Sequence, residues 1–87
     1  MKLMIVIVRD IDADTVIQEL IKQNYRVTRM ASTGGFLRRG NVTLMIGVES
    51  DKVEDVLKLL QTACSAPESG QHRATAFVVD MPFFTQI

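Results

Sequence analysis

The sequence is short of the residues on which most single-chain chemistry depends. It has one cysteine, Cys64, so an internal disulfide is impossible and a reducing, cytoplasmic setting is the expectation. It has one histidine, His72, and no tryptophan. One histidine and one cysteine cannot build a zinc site, and no metal is expected. His72 falls in a loop-like stretch with no serine–aspartate or cysteine partner beside it, which argues against an acid–base or nucleophilic centre. Net charge is missing too. Ten basic and ten acidic residues give a formal charge of +0, unlike a protein that coats DNA or RNA. No apolar run approaches the roughly 20 residues that span a bilayer. The run that opens the chain, Leu3–Val8, has six and is followed at once by acids rather than by a cleavage site. Phosphate-loop and dinucleotide fingerprints are absent.

What is present is apolar residue, 47% of an 87-residue chain. A chain of this length is expected to form one domain, residues 1–87, and to bury only roughly 60–65% of its unfolded surface. So much apolar surface on so small a body predicts that another chain covers part of it. LMIVIV (3–8) is the pattern of a strand buried on both faces. Asp12 is an expected N-cap, and Val16, Ile17, Leu20 and Ile21 recur at helical spacing over about 13–23, with Asn24 as a left-handed stop. YRVTRMAS (25–32) alternates as a second strand, and Asn41–Val48 forms a third. Asp51 with Glu54 makes a capping-box-like start to a stripe of Val53, Val56, Leu57 and Leu60 that ends near Ala63. CSAPESGQH reads as a loop, RATAFVVDM as a fourth strand and PFFTQI as an apolar tail that must dock somewhere.

The order β-α-β-β-α-β predicts an α+β, ferredoxin-like fold, an antiparallel four-stranded sheet with two helices on one face. Strands one, three and four are apolar at consecutive positions, so the uncovered face must also meet something dry. The simplest occupant is another copy in a closed symmetric ring.

Charge is placed unevenly. Between Leu20 and Val48 stand Lys22, Arg26, Arg29, Arg38 and Arg39 without one acid, which points to a small anionic ligand. The insert STGGFLRRGN (32–41) exceeds the about two to five residues that a hairpin needs. Gly34 and Gly35 let a ligand approach bare amides. Arg26, Arg38 and Arg39 offer forked donors to phosphate oxygens. Thr28, Thr33 and Asn41 add neutral hydrogen-bonding groups, and Phe36 a flat face for a base. Gly47 inside a strand marks a close approach or a bulge. The same residues also make an ordinary loop if the arginines are solvated and Phe36 packs at a subunit contact. An RNA-recognition module of this element order needs stacking aromatics on its third strand, and Asn41–Val48 has none.

NYRVT (24–28), STGGFLRRGN and TLMIGV (43–48) resemble the cyclic di-AMP receptor proteins of the nitrogen-regulatory P-II-like superfamily. The likeness runs from Met1 to about Leu60 and resumes at ATAFVV and FFTQI. It implies a homotrimer with sheets turned inward that binds cyclic di-AMP in the clefts between subunits. Such a protein is a cytoplasmic signal-transduction receptor and not an enzyme, with no cofactor and a further protein target downstream. The resemblance implies a site in which Asn24, Arg26 and Thr28 hold ribose and phosphate. Gly35, Phe36 and Leu37 would shape a base pocket, Asn41 and Gly47 contribute from the third strand, and Phe77 and Gln86 from the later segments. The chain departs from the family in its short connection CSAPESGQHR and in His72-Arg73, which replaces the usual glycine pair; Arg73 thereby becomes a candidate phosphate contact. The short connection keeps two alternatives open: a trimeric structural or interaction protein without nucleotide affinity, and a P-II-like sensor of ATP or another small anion.

Overall fold

The computed structural model describes residues 1–30, 40–66, 72–82, 85 and 87. Strand β1 (Lys2–Arg9) leads directly into helix α1 (Asp10–Lys22), and the chain returns through strand β2 (Arg26–Arg29). Strand β3 (Asn41–Val48) follows, then a 3-10 turn at Ser50–Lys52, helix α2 (Val53–Ala63) and strand β4 (Ala74–Asp80). The sheet order is β2-β3-β1-β4, and every neighbouring pair is antiparallel. This is the ferredoxin-like arrangement that the element order predicts.

The most apolar strands, β1 and β3, take the two central positions. Their alternate residues Met4, Val6 and Val8, and Leu44, Ile46 and Val48, are sealed with Val16 and Leu20 of α1 and Val56 and Leu60 of α2. Burying each such side chain contributes about 1.5–3 kcal/mol, which is why the helices settle on this face. Ile21, expected in the α1 stripe, instead remains 59% exposed on the outer side of the helix.

The α1 stop falls where expected. Asn24 has φ +65, its N–H donates to Ile21 C=O at 2.9 Å, and Tyr25 N–H donates to Leu20 C=O at 3.0 Å. The two expected N-caps are corrected. Helix α1 begins at Asp10 with Arg9 as its N-cap, and α2 begins at Val53 after Lys52; neither helix start has a side-chain capping bond. Asp12 is instead the third residue of α1, in its first turn, and bonds to a different set of partners, described below. The 3-10 turn takes up Asp51, so the spacing to Glu54 closes no box. Of the 25–32 stretch, β2 covers Arg26–Arg29, and Met30 N–H still donates to Thr43 C=O at 2.9 Å; residues 31 and 32 lie outside the described residues.

The register sorts the remaining strand residues onto the face that the helices do not cover. One row runs Arg26, Gly47, Leu3, Val79, and the next Thr28, Met45, Ile5, Phe77. Phe77 is 54% and Val79 45% exposed. A second apolar face is therefore present, as the consecutive apolar positions predict.

Candidate ligand-binding face

Five of the ten residues singled out in the sequence share that open face. Arg26 stands directly opposite Gly47 across the β2–β3 ladder, and Thr28 opposite Met45. Asn41 opens β3 opposite Arg9, and Phe77 of β4 lies opposite Ile5. Strand alternation accounts for the set, because residues two apart share a face. Asn24 is exposed two residues before β2, and its left-handed backbone already explains an asparagine there. Gly35, Phe36, Leu37 and Gln86 lie outside the described residues, as do Gly34, Arg38 and Arg39.

Gly47 is the most informative of the five. The pairing of β3 with β1 and β2 continues through it, so the position is no bulge. Its backbone is not left-handed, and among the described residues a Cβ placed on it would meet only the methyl ends of Met81 at 3.5 Å and Met1 at 3.8 Å. These are ordinary contacts with flexible groups. Glycine inside a strand costs roughly 0.5–1 kcal/mol relative to alanine. Among the described residues, neither backbone strain nor a close contact requires glycine here, and the missing Cβ leaves a shallow notch on the open face. Gly40 is different, because its φ of +89 requires glycine locally. Its carbonyl accepts a hydrogen bond from Asp10 N–H at 2.7 Å, which fixes the end of the insert to the start of α1.

The acid-free stretch is partly neutralised through space. Arg29 belongs to the opposite side of β2 and reaches Asp14 at 3.2 Å and Asp10 at 3.8 Å, while Lys22 pairs with Glu19 at 3.2 Å. Among the described cations of this stretch, Arg26 is the one whose register position lies on the open face. Arg73 is exposed one residue before β4, next to the row that holds Arg9 and Asn41.

The sequence reading missed the centre that holds this end of the sheet together. Asp12 is 5% exposed, and its Oδ1 accepts hydrogen bonds from Ser65 Oγ at 2.6 Å and Ser65 N–H at 3.1 Å. Arg9 Nη2 lies 3.3 Å from Asp12 Oδ2 and donates to the carbonyls of Ser65 at 2.6 Å and Ala66 at 3.2 Å. The clamp ties the exit of α2 to the β1–α1 corner. Burial alone would raise the Asp12 carboxyl, but the Ser65 bonds and the Arg9 charge outweigh it and hold the group below its ordinary value. Adjacent Cys64 is buried, as a small filler is expected to be, and its thiol is pushed up by burial and by the Asp12 charge. A protonated buried thiol is a poor nucleophile. His72 is exposed. Among the described residues, no group of three or more His, Cys, Asp or Glu comes together to hold a metal, and no helix is long and apolar enough to cross a membrane.

The match that decides the family is to a model described as cyclic-di-AMP receptor, over residues 1–77. The chain belongs to the cyclic di-AMP receptor family. The match takes in β1 through most of β4, and with them every described candidate on the open face of this chain. A similar solved structure is the crystal structure of a functionally unknown protein from Pediococcus pentosaceus ATCC 25745. It is 36% identical to this chain, the match covers 99% of this chain and 96% of that one, and the two superpose with a TM-score of 0.79.

Proposed function

We propose that the protein is a signal-transduction receptor that works as a homotrimer and binds cyclic di-AMP in the clefts between subunits, without catalysing a reaction. The observation that carries this reading is the joint placement of Arg26, Thr28, Asn41, Gly47 and Phe77 on one sheet face in a chain of the cyclic di-AMP receptor family. Arg26 supplies a charged donor to a phosphate oxygen, Thr28 and Asn41 supply neutral donors and acceptors, and Gly47 admits the guest to the backbone. Gly35, Phe36, Leu37 and Gln86 complete the pocket in this reading, together with Asn24 near the entrance to β2.

The same face requires a partner. Leu3, Ile5 and Met45 remain only half-buried and Phe77 and Val79 exposed, and sister copies turned inward would seal them. Sedimentation at micromolar concentration is expected to give three times the 9.7 kDa protomer mass. Ile5→Glu, which sets a charge at the centre of the face, is expected to shift the protein to monomer with its helical signal retained.

The ligand is tested by calorimetric titration with cyclic di-AMP, cyclic di-GMP and ATP. One cyclic di-AMP per cleft is expected, with weaker binding as salt rises. Arg26→Ala should then cost about 1.5–3 kcal/mol of binding, the usual worth of a charge-assisted hydrogen bond. The short α2–β4 connection favours one second reading, a trimer that serves as an interaction protein without nucleotide affinity. A retained trimer with no heat from any of the three nucleotides would select it.

A further inference from the structure

The notch above Gly47 has a described wall that no site residue so far accounts for. Met81 N–H donates to Met1 C=O at 3.1 Å, which extends the β4–β1 ladder one step past the Lys2–Asp80 pair. Alternation then places Met1 and Met81 on the open face with Leu3 and Val79. Their methyl ends are the two atoms that a Cβ on Gly47 would meet, at 3.8 and 3.5 Å. Met1 is 40% exposed and Met81 half-buried. The notch therefore has backbone as its floor, Arg26 across the ladder on one side, and on the other Leu3, with the methyl ends of Met1 and Met81 reaching in beside it.

That combination offers the two things that a nucleotide needs, a donor for phosphate and an apolar surface for a base. A guanidinium takes a phosphate oxygen, and a polarisable, unbranched thioether packs against the face or edge of an aromatic ring and adjusts to its outline. A cyclic dinucleotide has two bases and needs two platforms. Gly47 is six residues along β3 from Asn41, about 20 Å at 3.3 Å per residue, so the notch lies at the far end of the strand from Asn41. We propose that Met81, with Met1 beside it, is the wall against which one base of the bound nucleotide stacks, and that it helps to select ligands by offering a base an apolar surface without hydrogen-bonding groups. This rests on the receptor reading above.

The test uses the full-length protein labelled with carbon-13 at its five methionine methyls, titrated with cyclic di-AMP and followed in parallel by calorimetry. The Met81 and Met1 methyls are expected to move upfield in the ring current of a stacked base, in step with occupancy, while Met4, sealed beneath the helices, stays in place. Met81→Ala is expected to weaken cyclic di-AMP roughly fivefold to tenfold and Met81→Leu by about twofold, both with an unchanged melting temperature. Binding heat that saturates while the Met81 and Met1 methyls stay still would overturn the proposal and leave the receptor reading standing. So would wild-type affinity in Met81→Ala. Absence of both heat and shifts would overturn the two together.

Discussion

Gly47→Val is expected to weaken cyclic di-AMP binding by up to roughly 150-fold while leaving the subunit as stable as before, or slightly more so. The branched side chain fills the notch opposite Arg26, where the guest would approach the backbone. Forcing extra methyl groups into an occupied space costs up to about 3 kcal/mol, a loss of roughly 150-fold in affinity. Within the subunit the Cβ of the new side chain meets, among the described residues, the yielding ends of Met81 and Met1, and a strong strand former replaces glycine. The melting temperature should therefore hold or rise by a few degrees. Calorimetry and thermal melting on the same preparation check both halves. Sedimentation separates the two possible users of the notch: a retained trimer with weakened binding assigns it to the ligand, and a dissociated one assigns it to the neighbouring subunit.

Asp12→Ala is expected to have the largest effect on stability, because it removes the acceptor of both Ser65 bonds and the counter-charge of half-buried Arg9. Breaking a buried charge pair from one side costs about 3 kcal/mol or more, which for a domain of this size is a fall of roughly 10–20 °C in melting temperature. Ser65→Ala, which leaves the charge pair in place, should cost about 1 kcal/mol. Acid provides a second measurement. Because the folded Asp12 carboxyl lies below its unfolded value of about 4, its contribution is complete above that pH and is lost as pH falls through the lower, folded value. The difference in unfolding free energy between wild type and Asp12→Asn should therefore be constant from pH 5 to 7 and shrink below pH 4. A constant difference down to pH 3 would mean that the carboxylate charge has no part in the clamp.

The two missed or misread features have a common cause. Asp12 stands at a position where an N-cap is the ordinary local explanation, yet its partners lie 53 residues away at Ser65. Arg29 sits in a stretch without acids, yet Asp14 and Asp10 reach it from the neighbouring helix. In both cases local spacing carried the wrong partner, because a charged side chain pairs with whatever the fold brings near. The apolar residues were easier to read. Met4, Val6 and Val8 alternate with Leu3, Ile5 and Ile7 whatever the rest of the chain does, and period 2 fixes which of them share a face.

The sequence by itself determined the order of elements, the helix stop at Asn24 and the presence of two apolar sheet faces, because these depend on backbone preference and on periodicity within a few residues. It also held the family likeness, in runs such as NYRVT and TLMIGV. Only the tertiary structure decided that Arg26 and Gly47 stand opposite each other, that Met1 and Met81 close on the same notch, and that Asp12 holds the end of α2. Those are contacts between segments far apart in the chain, and strand register and packing create them where no local pattern can.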